Sequence, residues 1–85
     1  NDQYSDAYGN LGLSIIVSGG EIYRGIEYLE RAIALPGASL TQKNNLAFAY
    51  ATAEEYDKAQ AIYEENLSTS EAKKKIQELK KLKKN

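Results

Sequence analysis

The chain has 85 residues, room for one small domain. It contains no cysteine and no histidine, which excludes disulfides, a thiol nucleophile, thiolate or imidazole metal sites and a histidine base. The net charge of −1 is unevenly spread: residues 1–70 hold ten acids and four bases, while residues 71–85 hold seven lysines and two acids.

Neither part has the uniform basicity of a nucleic-acid-binding domain, so no nucleic-acid partner is expected. The longest apolar region, Leu11 to Val17, is interrupted by Gly12 and Ser14, and no membrane insertion is expected. The first residue is Asn1 and no signal-peptide pattern follows. The chain therefore reads as a piece of a longer protein. Its Lys- and Asn-rich composition suggests a bacterial source, with the compartment open between cytoplasm and bacterial periplasm.

Ser18-Gly19-Gly20, Leu35-Pro36-Gly37 and Leu67-Ser68-Thr69-Ser70 are the strongest breaks. Between them apolar residues recur at steps of three and four, the period of helices. The first segment runs Tyr4, Tyr8, Leu11, Ile15; the second Ile22, Ile26, Leu29, Ile33; the third Leu46, Ala49, Tyr50, Ala53; the fourth Tyr56, Ala59, Ile62, Tyr63. No run alternates with period two. The fold class is all-α, with helices predicted over 4–18, 21–35, 40–53, 55–67 and 70–83.

Capping chemistry supports these limits. Ser39-Leu40-Thr41-Gln42 reads as a capping box, in which the Ser39 hydroxyl accepts from a backbone N–H and Gln42 reaches back to the cap's own N–H. Ser68-Thr69-Ser70-Glu71 has the same form and should start the last helix. Gly37 suits a left-handed cap after the second helix. Lys80, Lys81, Lys83 and Lys84 lie where a helix C-terminus favours positive charge.

Asn10-Leu11-Gly12 recurs as Asn45-Leu46-Ala47, 35 residues later, and Gly25 with Leu29 recurs as Ala59 with Tyr63, 34 residues later. Tyr8, Leu11-Gly12 and Ile15, then Lys43, Leu46-Ala47 and Tyr50, match helix A of the tetratricopeptide repeat. Gly25, Leu29 and Ala32, then Ala59, Tyr63 and Asn66, match its helix B. Lys43, Asn66 and Gly25 depart from the family pattern. The chain thus resembles the tetratricopeptide family over residues 7–70. The resemblance implies two helix-turn-helix repeats, 5–37 and 39–68, in a right-handed α-solenoid closed by a capping helix over 70–84. Ala72, Ile76 and Leu79 of that helix would point inward.

In this family the A helices line a concave groove. The matching positions here are Asp6, Gly9, Asn10, Leu13, Ile16 and Val17, then Thr41, Asn44, Asn45, Phe48, Ala51 and Thr52, with Lys75 and Leu79 added by the cap. Apolar pockets there would take a peptide's side chains and the carboxamides would pair with its backbone. The competing reading packs Leu13 and Phe48 between neighbouring A helices and leaves the asparagines solvated. The carboxylate clamp known in some members is not expected, since of Gly9, Leu13, Asn45, Lys75 and Leu79 only Asn45 and Lys75 conform.

The acid pairs Glu54-Glu55 and Glu64-Glu65 read as solvated faces, because adjacent helical residues diverge by about 100°. The lysine run reads as the solvated face of the cap. Tyr8, Tyr50, Tyr56 and Tyr63 occupy repeat packing positions; Tyr4, Tyr23 and Tyr28 are less constrained. The expectation is a non-catalytic module that binds a protein or peptide, and that is either only modestly stable or self-associates through its N-terminal face. The alternative is a structural spacer in a secretion or pilus-type machine, because Asn44-Asn45-Leu46-Ala47-Phe48-Ala49-Tyr50-Ala51 is similar to a helix of tight-adherence pilus-assembly lipoproteins.

Overall fold

The computed structural model describes residues 2–84, with side chains from 4 to 82. It contains five helices: α1 (Asp2–Val17), α2 (Ile22–Ala34), α3 (Leu40–Thr52), α4 (Tyr56–Tyr63) and α5 (Thr69–Lys84). No strand occurs among the described residues. The protein is all-α, and each expected helix is present. The side chains of Lys83 and Lys84 lie outside the described residues.

The helices end for identifiable reasons. After α1, Gly20 N–H donates to Ile15 O at 2.9 Å and Gly19 N–H to Ile16 O at 3.3 Å, with Gly19 at φ 81°. This paired pattern closes a helix through a left-handed residue. The same pattern ends α3, where Glu55 N–H donates to Tyr50 O at 2.8 Å and Glu54 N–H to Ala51 O at 3.0 Å. There the left-handed residue is Glu54, at φ 63°. After α2, Leu35 is extended (ψ 147°) ahead of Pro36, and Gly37 takes the expected left-handed turn at φ 82°.

One boundary and one cap differ from expectation. Helix α4 stops at Tyr63, four residues early; Glu65 N–H reaches Ile62 O and Asn66 N–H reaches Tyr63 O, the tighter bonding of a closing turn. Glu64, Glu65 and Asn66 are all exposed, so no apolar side chain draws the next turn onto the core. The Ser39 cap forms, accepting from Gln42 N–H at 3.3 Å, but the Gln42 side chain does not return to it. It is buried against α1 instead. The second capping box is complete: Ser68 N–H donates to Glu71 Oε1 and Glu71 N–H to Ser68 Oγ, both at 3.1 Å.

Helix α1 packs on α2 and α3, α3 packs on α2, α4 and α5, and α4 packs on α5. Helices α1, α3 and α5 thus adjoin in that order, with α2 against α1 and α3 and α4 against α3 and α5, within Cα extents of 33 × 28 × 14 Å. One core cluster joins Ile16, Ile26, Leu29, Leu46 and Ala49. The other joins Ala47, Ala51, Ala59, Tyr63, Ala72 and Ile76. Tyr50 and Ile62 pack against both.

Small residues set the helix separations. A Cβ on Gly12 would sit 2.7 Å from Gly25 O, and one on Gly25 would sit 2.9 Å from Gly12 O and 2.8 Å from Ile16 Cδ1. The backbones of α1 and α2 meet there. In the second helix pair Ala47 and Ala59 occupy the corresponding places, both fully buried. Ser5, also buried, donates to Ala32 O at 2.8 Å and ties the same pair together further along.

Candidate functional site

The outer face of α1, α3 and α5 carries most of the side chains singled out from sequence. Between α3 and α5 it opens into a cleft of about 280 Å³ lined by Phe48, Ala51, Thr52, Leu79 and Leu82. Helix α3 presents Phe48, Ala51 and Thr52 at three- and four-residue steps, and α5 presents Leu79 and Leu82 opposite. The Thr52 hydroxyl donates to Phe48 O at 2.9 Å, a back-bond within its own helix. Phe48 and Leu79 are half-buried, leaning on the two core clusters from outside.

Not every expected groove residue converges here. Ile16 is 6% exposed and belongs to the core between α1, α2 and α3, so it has no surface to offer. Asn45 is drawn into the α1–α3 seam: its Nδ2 donates to Gln42 Oε1 at 3.2 Å, and Gln42 Nε2 donates to Asp6 Oδ1 at 3.2 Å. Gln42 lies over Gly9, where any Cβ would collide with its side-chain amide. Asp6 and Gly9 therefore meet α3 through Gln42, and Asn45 holds that side chain from within α3. Asn10, Thr41, Asn44 and Lys75 are exposed, Leu13 is half-buried and Val17 is largely exposed, but none of them lines the cleft.

Two residues were missed. Gln42, 3% exposed, was read as half of a capping box; the signal for its other role was Gly9, since a glycine inside a helix at that register marks something lying on it. Leu82 is absent from both the inward positions and the groove positions expected of the last helix, yet it lies 69% exposed at the mouth of the cleft. At about 100° per residue it sits roughly 120° round from Ile76, off the buried stripe. Angular bookkeeping alone identifies it.

The perturbed ionisable groups lie elsewhere. Tyr50 OH donates to Glu30 at 2.5 Å, and burial followed by this bond raises its pKa far above the ordinary tyrosine range. Lys58 pairs with Glu55 at 2.9 Å and lies 5.5 Å from the Tyr50 ring. That ion pair raises Lys58 and lowers Glu55, which also accepts a hydrogen bond from Tyr23. Burial alone raises Tyr63.

The acid pairs are likewise engaged at the surface. Glu64 accepts from Gln60 at 2.9 Å, and Glu65 pairs with Lys43 at 3.6 Å. No cluster of potential metal ligands occurs among the described residues, and no helix is long and apolar enough to cross a membrane. The cleft carries neither an acid–base pair nor an anion-binding arrangement; it can hold an apolar group. No family model matches the sequence, and no curated protein or solved structure matches it either.

Proposed function

We propose that the chain is a tetratricopeptide-type module of two helix pairs and a capping helix that binds a polypeptide segment on the α1–α3–α5 face. Support for the repeat architecture comes from the packing order. Each pair packs internally, α2 packs on α3, and α1, α3 and α5 adjoin in sequence. Gly12 with Gly25 and Ala47 with Ala59 hold equivalent close-approach positions.

The cleft between α3 and α5 is the observation that carries the binding reading. At about 280 Å³ it is at the small end of ligand pockets, which run roughly 300–1,000 Å³. That suits one bulky apolar side chain of a peptide better than a cofactor. Burying such a side chain contributes about 1.5–3 kcal/mol, so the exposed Asn10, Asn44 and Lys75 on the same face would add polar contacts along the peptide.

A displayed random-peptide selection on the purified chain tests this, with Phe48→Glu and Leu79→Glu run in parallel and circular dichroism reporting helix content. Enriched peptides should share an apolar anchor and lose about tenfold or more in affinity for both folded variants. Enrichment indifferent to both substitutions, or no enrichment, would favour a structural spacer with no separate peptide ligand.

A further inference from the structure

The two ends of the helical stack differ in chemistry. At one end α5 buries Ala72 and Ile76 and leaves Lys73, Lys74, Gln77 and Lys81 exposed. That is a polar closure of the kind that terminates helical stacks. At the other end α1 presents Tyr4, Tyr8, Leu11 and Ile15, and α2 presents Arg24, Tyr28 and Arg31 with Glu21 at its N-cap. Leu11, Ile15, Gly20, Glu21, Arg24 and Tyr28 line a depression of about 310 Å³ there.

The repeat supplies a direct comparison for this face. Leu46, 35 residues after Leu11, is 2% exposed because it is seated in the cluster with Ile26 and Leu29 of the preceding helix pair. Leu11, at the same place in its own pair, is 46% exposed. Around it lies an interface-type composition. Both arginines of the chain are here; Arg31 lies 5.9 Å from the Tyr28 ring, and Tyr28 stacks on Tyr8 with centroids 6.2 Å apart. Tyrosine and arginine are among the residues most enriched at the anchoring points of protein interfaces.

The charges on α2 complement their own reflection. Glu21 and Arg31 stand symmetrically about position 26, and so do Arg24 and Tyr28. Two α2 helices meeting antiparallel about a two-fold axis at that level would each set Glu21 beside Arg31 of the second copy. Each Arg24 would likewise meet the ring of Tyr28 of the second copy. The bond from Ser5 to Ala32, the Tyr8–Tyr28 stack and the Gly12–Gly25 approach bring position 11 of α1 level with position 26 of α2. The same axis therefore brings Leu11 against its own counterpart. A head-to-tail copy has no such match, because α5 offers lysines where an apolar surface is needed.

We propose that the outward face of α1 and α2 docks a second copy of this chain about a two-fold axis, with Leu11 meeting Leu11 and Glu21 meeting Arg31 of the second copy. This is an isologous interface, and it stands independently of the peptide-binding reading.

Sedimentation of the full 85-residue chain over about 1–200 µM, a range that reports dissociation constants of the same order, tests the interface. A concentration-dependent dimer is expected. Leu11→Asp should abolish it with helix content retained. Glu21→Arg and Arg31→Glu should each weaken it by about tenfold, and the double variant should recover the wild-type dimer. Leu11→Cys should oxidise readily to a symmetric disulfide-linked dimer, a readout that holds even where Leu11→Asp perturbs folding. A chain monomeric throughout overturns the proposal and leaves the face to another occupant. So does a dimer insensitive to Leu11→Asp, or charge reversals that fail to rescue one another.

Discussion

Gly12 and Gly25 face each other across the α1–α2 crossing, each where the other's missing Cβ would collide with its carbonyl oxygen, at 2.7 and 2.9 Å. Glycine inside a helix ordinarily costs about 1 kcal/mol against alanine. Here the cost is offset by close packing of Leu29 and Ile16 over the crossing. Gly12→Ala and Gly25→Ala should therefore each destabilise the fold, by about 1–3 kcal/mol as overpacking does, in urea unfolding. A gain in stability from either change would show that the helices have room to separate.

Gly19 and Glu54 lie 35 residues apart and close α1 and α3 in the same left-handed conformation. A glycine adopts it without penalty, whereas a side chain carries a cost of about 1–2 kcal/mol. Glu54→Gly should raise the melting temperature and Glu54→Val should lower it. Thermal unfolding of the three proteins, ranked Gly above Glu above Val, is the expected outcome.

Gln42 links α3 to α1 through Asp6, accepts a bond from Asn45 within α3, and lies over Gly9. Gln42→Ala removes both bonds and leaves a void against Gly9, for an expected loss of about 1–3 kcal/mol. Adding Gly9→Ala refills part of that void and should recover some of the stability, though Gly9→Ala alone should be destabilising. Denaturant midpoints of the double-mutant cycle would show this opposite sign.

Tyr50 and Tyr63 have raised pKa values, Tyr50 through burial and its bond to Glu30, Tyr63 through burial. A raised tyrosine pKa means that the unfolded chain loses the proton first. Stability should be level below the ordinary tyrosine range and fall as pH climbs through and above it. Phenolate absorbance should show these two rings titrating above the ordinary tyrosine range, together with unfolding. Tyr50→Phe should soften the alkaline transition.

Ser68 donates both its backbone N–H and its hydroxyl to Glu71, and these bonds, the backbone one foremost, hold the carboxyl below the usual range. The sign is opposite to that of the tyrosines: the cap is fully formed at neutral pH and is lost as pH falls through the carboxylate range. Amide exchange at residues 69–72 should quicken on acidification. Ser68→Ala should cost about 1 kcal/mol at neutral pH, and Glu71→Gln should remove the acid dependence.

The helices, their approximate ends and the close-approach positions were legible because each depends on local signals. Period, capping boxes and breakers set α1 to α5, and the pairing of Gly12 with Ala47 and Gly25 with Ala59 marked the small residues. The family resemblance puts Phe48, Thr52 and Leu79 among its groove positions, and these three side chains line the α3–α5 cleft. Ile16 and Asn45 were not separable from them, because one turn of a helix at the boundary between a seam and an open face contains both kinds of position. Gln42 is misassigned for a related reason: a capping box explains it adequately from local sequence, and the neighbouring helix α1 decides otherwise.

By itself, then, the sequence determined an all-helical chain without thiol or imidazole chemistry, its two internally similar halves and its strongly basic last helix. These follow from composition and from periodicities that act within about one or two turns. Only the tertiary structure decided that Gln42 spans α1 and α3, that Ile16 is core, that the apolar cleft lies between α3 and α5, and that Leu11 is open where Leu46 is buried. Each of those depends on which side of a helix its neighbour occupies. That is set by the summed packing of all five helices, a quantity no local pattern encodes.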